Sequence, residues 1–423
     1  MFLLRNRLGA YAVYLIYSAG FALFSSVVWT VNLVYQVERV GLSPFQIVLI
    51  GTALELSYFL FEVPTGIVAD VYSRRLSVII GTFMLGAGFI VMGAVPVFWV
   101  MLLSQVICGI GFTFLSGAQE AWIADEIGEG RAMNAFMRGS QVARIGSLAG
   151  IPIAIGLGSL DLALPIVAGG VAIVALGGFL LLAMQETGFA GASREDFTRW
   201  QSMKHTFQGG TRMIRSRPVL LTIIGISAVF GMFNEGWDRL SVPHLLENFT
   251  FPAFGGFSDV VWIGGISLVG QVLGISSLEI VRRRVDLTSH HAVTKTLFAI
   301  NGGLIVAVLA FGLSGNFTLA VVTMVVASVL RGCIYPLQTA WVNQSLDPKV
   351  RATVISMTGQ GDAFGQIFGG PAVGGIGSLF GLRAAMVTAG AILTPILLLY
   401  ARALGQDGEV VIKVDEAAVV ADG

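Results

Sequence analysis

Charge is what this chain has least of. Lys, Arg, Asp and Glu make up 12% of 423 residues, against 55% hydrophobic residues. Soluble domains carry roughly 25% charged residues. A water-facing surface would therefore run out of polar groups before it covered this much apolar sequence, which excludes an ordinary soluble domain and leaves lipid as the solvent. The mean hydropathy of +0.82 agrees. Net charge is zero, so the basic excess of a nucleic-acid binder is missing. Cysteine is nearly absent. Cys108 and Cys333 lie inside apolar runs, with neither metal-ligand nor disulfide-framework spacing, and read as small buried residues. The four histidines, His290-His291 at a membrane edge among them, form no complete ligand set, so no metal or other cofactor is expected. No G-x-x-x-x-G-K-[ST] loop occurs, and nothing in the chain indicates ATP drive. A cleavable signal segment is not expected either: Arg5 and Arg7 precede an apolar stretch over 9–37 that is too long for a signal core and reads as a first span.

What is abundant is glycine, at 54 residues, which suits close helix packing in a bilayer. A span needs about 20 mainly apolar residues. Such runs fall near 10–37, 45–69, 76–95, 97–124, 137–158 and 160–184, then near 218–246, 257–281, 290–313, 316–344, 352–379 and 382–403. The expected organisation is an N-terminal six-helix bundle over 1–184, a cytoplasmic linker over 185–217, a C-terminal bundle over 218–404 and a polar tail over 405–423. In the linker, Phe197, Trp200, Met203 and Phe207 recur at helical spacing beside basic residues, the pattern of an interfacial helix. Arg5, Arg7, Arg74, Arg75, Arg131, Arg138, the basic linker, Arg282 to Arg284, Lys349, Arg351, Arg402 and Lys413 fall on one side; the other holds little beyond Arg39 and Arg383. That asymmetry puts both termini in the cytoplasm.

The chain repeats itself. A shift of 219 positions aligns Gln141, Gly146, Gly150, Pro152, Gly156, Gly158 and Ser159 with Gln360, Gly365, Gly369, Pro371, Gly375, Gly377 and Ser378. It also pairs Gln119 with Gln338, Trp122 with Trp341 and Gly51 with Gly270. A repeat of six spans leaves both halves in one orientation, with a ligand site expected near the midplane between them.

Between spans 2 and 3 the sequence reads Gly66-Ile67-Val68-Ala69-Asp70-Val71-Tyr72-Ser73-Arg74-Arg75. This resembles the G-x-x-x-D-x-x-G-R-R/K signature of the major facilitator superfamily (MFS). Gly66, Asp70, Arg74 and Arg75 match, and Ser73 replaces the second Gly. The resemblance, extended over nearly the whole chain by the repeat, implies an all-α membrane protein of the MFS fold: about twelve transmembrane helices in two pseudo-symmetric six-helix halves. In that family the loop latches the cytoplasmic ends of the halves in the outward-facing state; a plain positive-inside reading accounts for the arginines but not for Asp70. Drug:proton antiporters of the superfamily also carry G-P-x-x-G-G in span 5. Gly370-Pro371-Ala372-Val373-Gly374-Gly375 spells it in span 11, whereas span 5 has Gly150-Ile151-Pro152 and Gly156. Both segments also serve close packing and a proline-linked bend.

Ionisable residues inside spans cost about 2.5–3.5 kcal/mol each on insertion scales, so they normally face a cavity or a partner. Glu55 and Glu62 share one face of span 2 with Phe59 and Gly66, and either carboxyl suits a proton carrier or a structural hydrogen bond. Glu120 and Arg144 read as a structural charge pair. Arg331 and Asp362 read as a second cross-helix pair, and Glu235 with Arg239 as an i, i+4 pair. Asp238 has no obvious local partner. In the superfamily, spans 1, 4, 7 and 10 line the central cavity. The resemblance thus makes Asn32, Gln105, Trp237 and Arg331 substrate-cavity candidates and Asp238 a proton-coupling candidate, with Trp29, Phe112 and Phe233 as further apolar walls; the span-embedded carboxyls Glu55, Glu62 and Asp362 are the other proton-coupling candidates.

The implied function is transport by alternating access, with no enzymatic activity. The expected form is proton-coupled export of amphipathic or drug-like molecules by a monomer in a bacterial plasma membrane. It rests on likeness to bacterial efflux members, notably the run Glu62-Val63-Pro64-Thr65-Gly66. Uptake or exchange of a small metabolite, and a non-transporting receptor, are the alternatives.

Overall fold

A computed structural model describes residues 8–189, 218–252, 257–345 and 348–405, and every regular element among them is helical. Twelve helical segments follow one another: α1 Ala10–Arg39, α2 Pro44–Val71, α3 Arg74–Ala94, α4 Phe98–Ile127, α5 Glu129–Gly158 and α6 Ala163–Ala183. Then come α7 Pro218–Asn248, α8 Asp259–Arg284, α9 His290–Leu313, α10 Phe317–Ser345, α11 Pro348–Phe380 and α12 Leu382–Gly405. Ten of them are long and apolar enough to cross a membrane on length and composition.

Local chemistry sets the helix ends. Ser43 and Gln46 form a reciprocal capping box with Pro44 in the first turn, which starts α2. Ser73 caps α3, its hydroxyl accepting from the Leu76 amide at 2.9 Å. The last turn of α1 widens into a π turn over Tyr35–Arg39. Two boundaries differ from the hydropathy reading. α4 is broken at Gly117, whose φ of +70° suits only a residue without Cβ, and α5 starts at Glu129, eight residues before the expected span, because Gly128 at φ +84° resets the chain.

Two compact units emerge: Met1–Phe197 with Val242–Leu268, and Thr198–Ser241 with Val269–Gly423. Residues 242–268, expected in the C-terminal bundle, group with the first unit. Most of the expected linker with its interfacial helix, and all of the tail beyond residue 405, lie outside the described residues.

The repeat is legible in the packing of each unit. In the first, a Cβ at Gly146 of α5 would lie 2.4 Å from the Ala19 carbonyl of α1, and one at Gly150 would lie 2.6 Å from that of Leu23. In the second, a Cβ at Gly365 of α11 would lie 2.0 Å from the Ala228 carbonyl of α7, and one at Gly369 would lie 2.5 Å from Met232 Cα. Ala228 and Met232 follow Ala19 and Leu23 by the same 209 positions. Backbone-to-backbone contact of this kind is how helices gain dispersion energy where lipid removes the hydrophobic drive. Around it, Val13, Tyr17, Val78, Trp122, Ile123, Ala135 and Leu180 make a buried core in the first unit, tied by the Tyr17–Thr82 hydroxyl contact at 3.0 Å.

Candidate functional site

One set of charged side chains inside helices belongs to the second unit. Ser227, Phe230 and Asn234 recur at i, i+3 and i+7 on α7, so they share one face, and Asp238 continues it. Arg331, Tyr335, Gln338, Thr339 and Val342 occupy one face of α10, and Thr358, Gly359 and Asp362 one face of α11. Except for Asp238, these residues line a cavity of about 390 Å³, within the range of small-molecule sites. Hydroxyls and amides alternate there with the rings of Phe230 and Tyr335.

The charges are ordered. Arg331 grips Asp238 with both guanidinium nitrogens, Nη2 donating to Oδ2 at 2.5 Å. Arg239 Nε donates to Glu235 Oε1 at 3.0 Å, on a carboxylate that is only 2% exposed. Asp362 accepts from Gln366 Nε2 at 2.7 Å and lies beside Asn234. Three carboxyls thus share two guanidinium groups. Two are matched one to one; Asp362 shares the cavity with Arg331, whose own fork is taken by Asp238. The pairing differs from the sequence expectation, which joined Arg331 to Asp362 and left Asp238 alone. The fork decides it, since bidentate geometry matches one carboxylate.

A second polar assembly surrounds the signature loop. Arg74 pairs with Asp125 and donates to the Ala121 carbonyl at 2.9 Å, which fastens α3 to the end of α4. Arg75 donates to the carbonyls of Met184 and Leu181 at 2.7 and 2.8 Å. Glu186 accepts from Ser73 Oγ at 2.6 Å and from the Arg75 amide at 2.9 Å. Glu126 in turn accepts from the Thr187 hydroxyl and the Gly188 amide, both at 2.7 Å. Asp70 is exposed at the exit of α2, and Gly66 faces open space.

The model of the Major Facilitator Superfamily matches residues 10–288. The chain belongs to that superfamily. A Bacillus subtilis (strain 168) relative, the uncharacterized MFS-type transporter YxaM, is 22% identical over 362 residues, covering 84% of this chain and 86% of its own. Among solved structures, the nucleoside transporter NupG superposes with a TM-score of 0.76 at 14% identity, covering 94% of this chain and 100% of its own. A bacterial homologue of the human lysosomal transporter Spinster, in an inward-facing and unoccupied conformation, gives 0.72 at 17% identity, covering 93% and 96%. These likenesses show the MFS fold. The protein is a multi-pass membrane transporter, with a small-molecule substrate and the bilayer as its partners.

The other candidates of this MFS transporter are scattered. Asn32 and Gln105 are fully buried in the first unit; Gln105 donates to Met92 Sδ at 3.1 Å, and the Asn32 amide finds no hydrogen-bond partner among the described residues. Trp237, expected at the cavity, is buried at 5.2 Å ring distance from Phe311 and 6.0 Å from Phe233. Glu55 and Glu62 are half-buried on α2, on either side of Tyr58, whose hydroxyl meets Ser116 Oγ at 3.0 Å beside the break in α4. Trp29 packs edge-on against Phe89. Glu120 and Arg144 are both exposed, and no ion pair joins them among the described residues. Sequence reading passed over Asn234, Gln338, Thr358, Asp125 and Glu186. The first two lie at helical spacing from Asp238 and Arg331, and that spacing was the available signal.

Proposed function

We propose that this MFS protein is a proton-coupled secondary transporter working by alternating access, with the α7–α10–α11 charge cluster as its coupling site. The observation that carries the reading is that Asp362 and Arg331 line one cavity while the Arg331 fork is held by Asp238. A proton on Asp362 leaves two matched ion pairs. Its loss adds a carboxylate that competes with Asp238 for Arg331 and can be balanced by substrate. A group whose charge decides which pair forms is a coupling device.

The cargo we infer is an amphipathic, drug-like organic molecule moved out of the cytoplasm. The rings of Phe230 and Tyr335 and the single surplus carboxyl support that choice. Uptake or exchange of a small polar metabolite is the second reading, favoured by Ser227, Gln338, Thr339 and Thr358 in the same lining. The asymmetry of Lys and Arg supports a bacterial plasma-membrane protein with both ends cytoplasmic, and the chain is taken to act as a monomer.

The test has two stages. A resistance screen in a host stripped of its own pumps names the cargo class. Proteoliposomes with that cargo and a pH-sensitive dye then read coupling: cargo addition should move protons in the parent and not in Asp362→Asn. Flux without proton movement in the parent removes the coupling reading, and binding without flux would favour a receptor.

A further inference from the structure

The repeat gives each unit one buried tryptophan at a matching position. Trp122 near the end of α4 and Trp341 near the end of α10 stand 219 positions apart, and both are buried. An indole N–H can only donate, so each ring needs an acceptor. Trp122 Nε1 donates to the Gln185 carbonyl at 2.6 Å, just past the end of α6. Trp341 Nε1 donates to Nε2 of His290, the first residue of α9, at 3.3 Å. A peptide carbonyl accepts at any pH. An imidazole nitrogen accepts only while it carries no proton, so the ring proton of His290 is on Nδ1.

The histidine contact holds three helices of the second unit together. The His290 ring stacks on Trp341 at 6.0 Å and 28°, and Trp341 meets Tyr400 of α12 edge-on at 5.5 Å. Ser289 caps α9 by accepting from the Ala292 amide at 3.3 Å, which fixes His290 in the first turn. Gln344, three residues after Trp341, donates to the Leu287 carbonyl in the turn before α9. Gln338 and Val342, which bracket Trp341 on α10, line the cavity. The stretch of α10 pinned by His290 is therefore part of the cavity wall. The ionisable groups carried at this end are His291 and Lys295 on α9, Tyr400 and Arg402 on α12, Cys333 and Tyr335 on α10, Glu279 with Arg282 to Arg284 on α8, and Asp286 in the turn. Glu279 accepts from Arg282 and Arg283. Asp286 accepts from the Thr288 amide and hydroxyl at 2.9 and 2.6 Å.

We propose that the His290–Trp341 contact is a pH-sensitive staple, which pins α10 to α9 while His290 is neutral and lets go when Nε2 takes a proton. Protonation puts an N–H where the indole N–H already points, and two donors cannot bond. The sign follows from proton counts. The released form holds one proton more than the stapled one, so acid favours release, by at most about tenfold per pH unit. The matching contact of Trp122 in the first unit has no such dependence, because its acceptor does not titrate.

Isotopic labelling of the tryptophan indole nitrogens reads both contacts by NMR in one molecule in lipid nanodiscs, without cargo. Trp341→Phe and Trp122→Phe assign the two signals. As pH falls from about 8 to about 5, across the histidine range, the Trp341 signal should shift and exchange faster with water while the Trp122 signal holds still. His290→Gln supplies a carbonyl acceptor that never titrates and should hold the Trp341 signal in place throughout. His290→Lys offers only donors and should leave it in the acid position at every pH. A Trp341 signal that ignores pH in the parent, or that follows pH in His290→Gln, overturns the proposal. The response should survive in Asp362→Asn, so failure of the coupling reading leaves it standing; its loss there would assign the effect to the coupling cluster and overturn it.

Discussion

Arg331 of α10 holds Asp238 of α7 with both ends of its guanidinium fork, while Asp362 of α11 lines the same cavity as Arg331. With the Arg331 side chain 26% exposed and that of Asp238 49% exposed, neither partner is sealed in the core. The arrangement is therefore set up to exchange partners.

Neutralising Asp238 should move Arg331 to Asp362 and freeze the exchange. Asp238→Asn is expected to lower cargo flux at least tenfold while cargo binding survives. The combined Asp238→Asn and Arg331→Gln variant should be more stable than Arg331→Gln alone, by about 1 kcal/mol, the size typical of coupled neighbours. Thermal unfolding in detergent checks the second expectation, and additive losses would contradict it.

The proposed proton coupling predicts a pH signature. Flux by the parent should respond to an imposed proton gradient, and Asp362→Asn should flatten that response by removing the surplus carboxyl. Glu62→Gln, on α2 beside Tyr58, tests the competing candidate in the same assay. If it alone flattens the profile, the coupling group lies in the first unit.

The repeated glycines make a matched stability experiment. Gly146→Ala and Gly365→Ala force a methyl against a carbonyl of the neighbouring helix and should each cost about 1–3 kcal/mol. Gly156→Ala and Gly375→Ala, also repeat partners, meet nothing within 4 Å. They should be neutral, or stabilising by up to about 1 kcal/mol through helix propensity. Equal effects at all four positions would show that the close approaches are not what the glycines serve.

Glu186 binds the start of α3 by two acceptor contacts, from Ser73 Oγ and the Arg75 amide. Glu186→Ala should lower the unfolding midpoint, by a loss of about 1.5–3 kcal/mol for hydrogen bonds to a charged group. Ser73→Gly, which restores the second glycine of the superfamily signature, should lose the cap and part of that contact. An unchanged midpoint for Glu186→Ala would reduce the assembly to surface decoration.

Legibility followed the range of the interaction. The helices were readable because a bilayer demands continuous apolar runs, and α3, α6 and α9 fall where hydropathy placed them. The repeat was readable because the glycines themselves recur at one offset of 219 positions. Glu235 and Arg239 were readable as neighbours because four residues make about one helical turn. The partner of Arg331 was not. Asp238 and Asp362 are equivalent in sequence terms, and only the relative rotation of α7, α10 and α11 brings one of them to the fork. Trp237 meets the same limit: a tryptophan in a span suits a cavity wall or a packed core equally, and only the fold brings it against Phe311 on α9.

The sequence by itself determined the solvent, the helical segments, the two-fold repeat and the loop signature, since each depends on composition or on spacing within one helix. Tertiary structure alone decided which carboxylate holds Arg331 and that Glu126 and Glu186 tie the end of α6 to α4 and α3. Those contacts join residues from 61 to 113 positions apart, and no periodicity along a chain carries the angle at which one helix faces another.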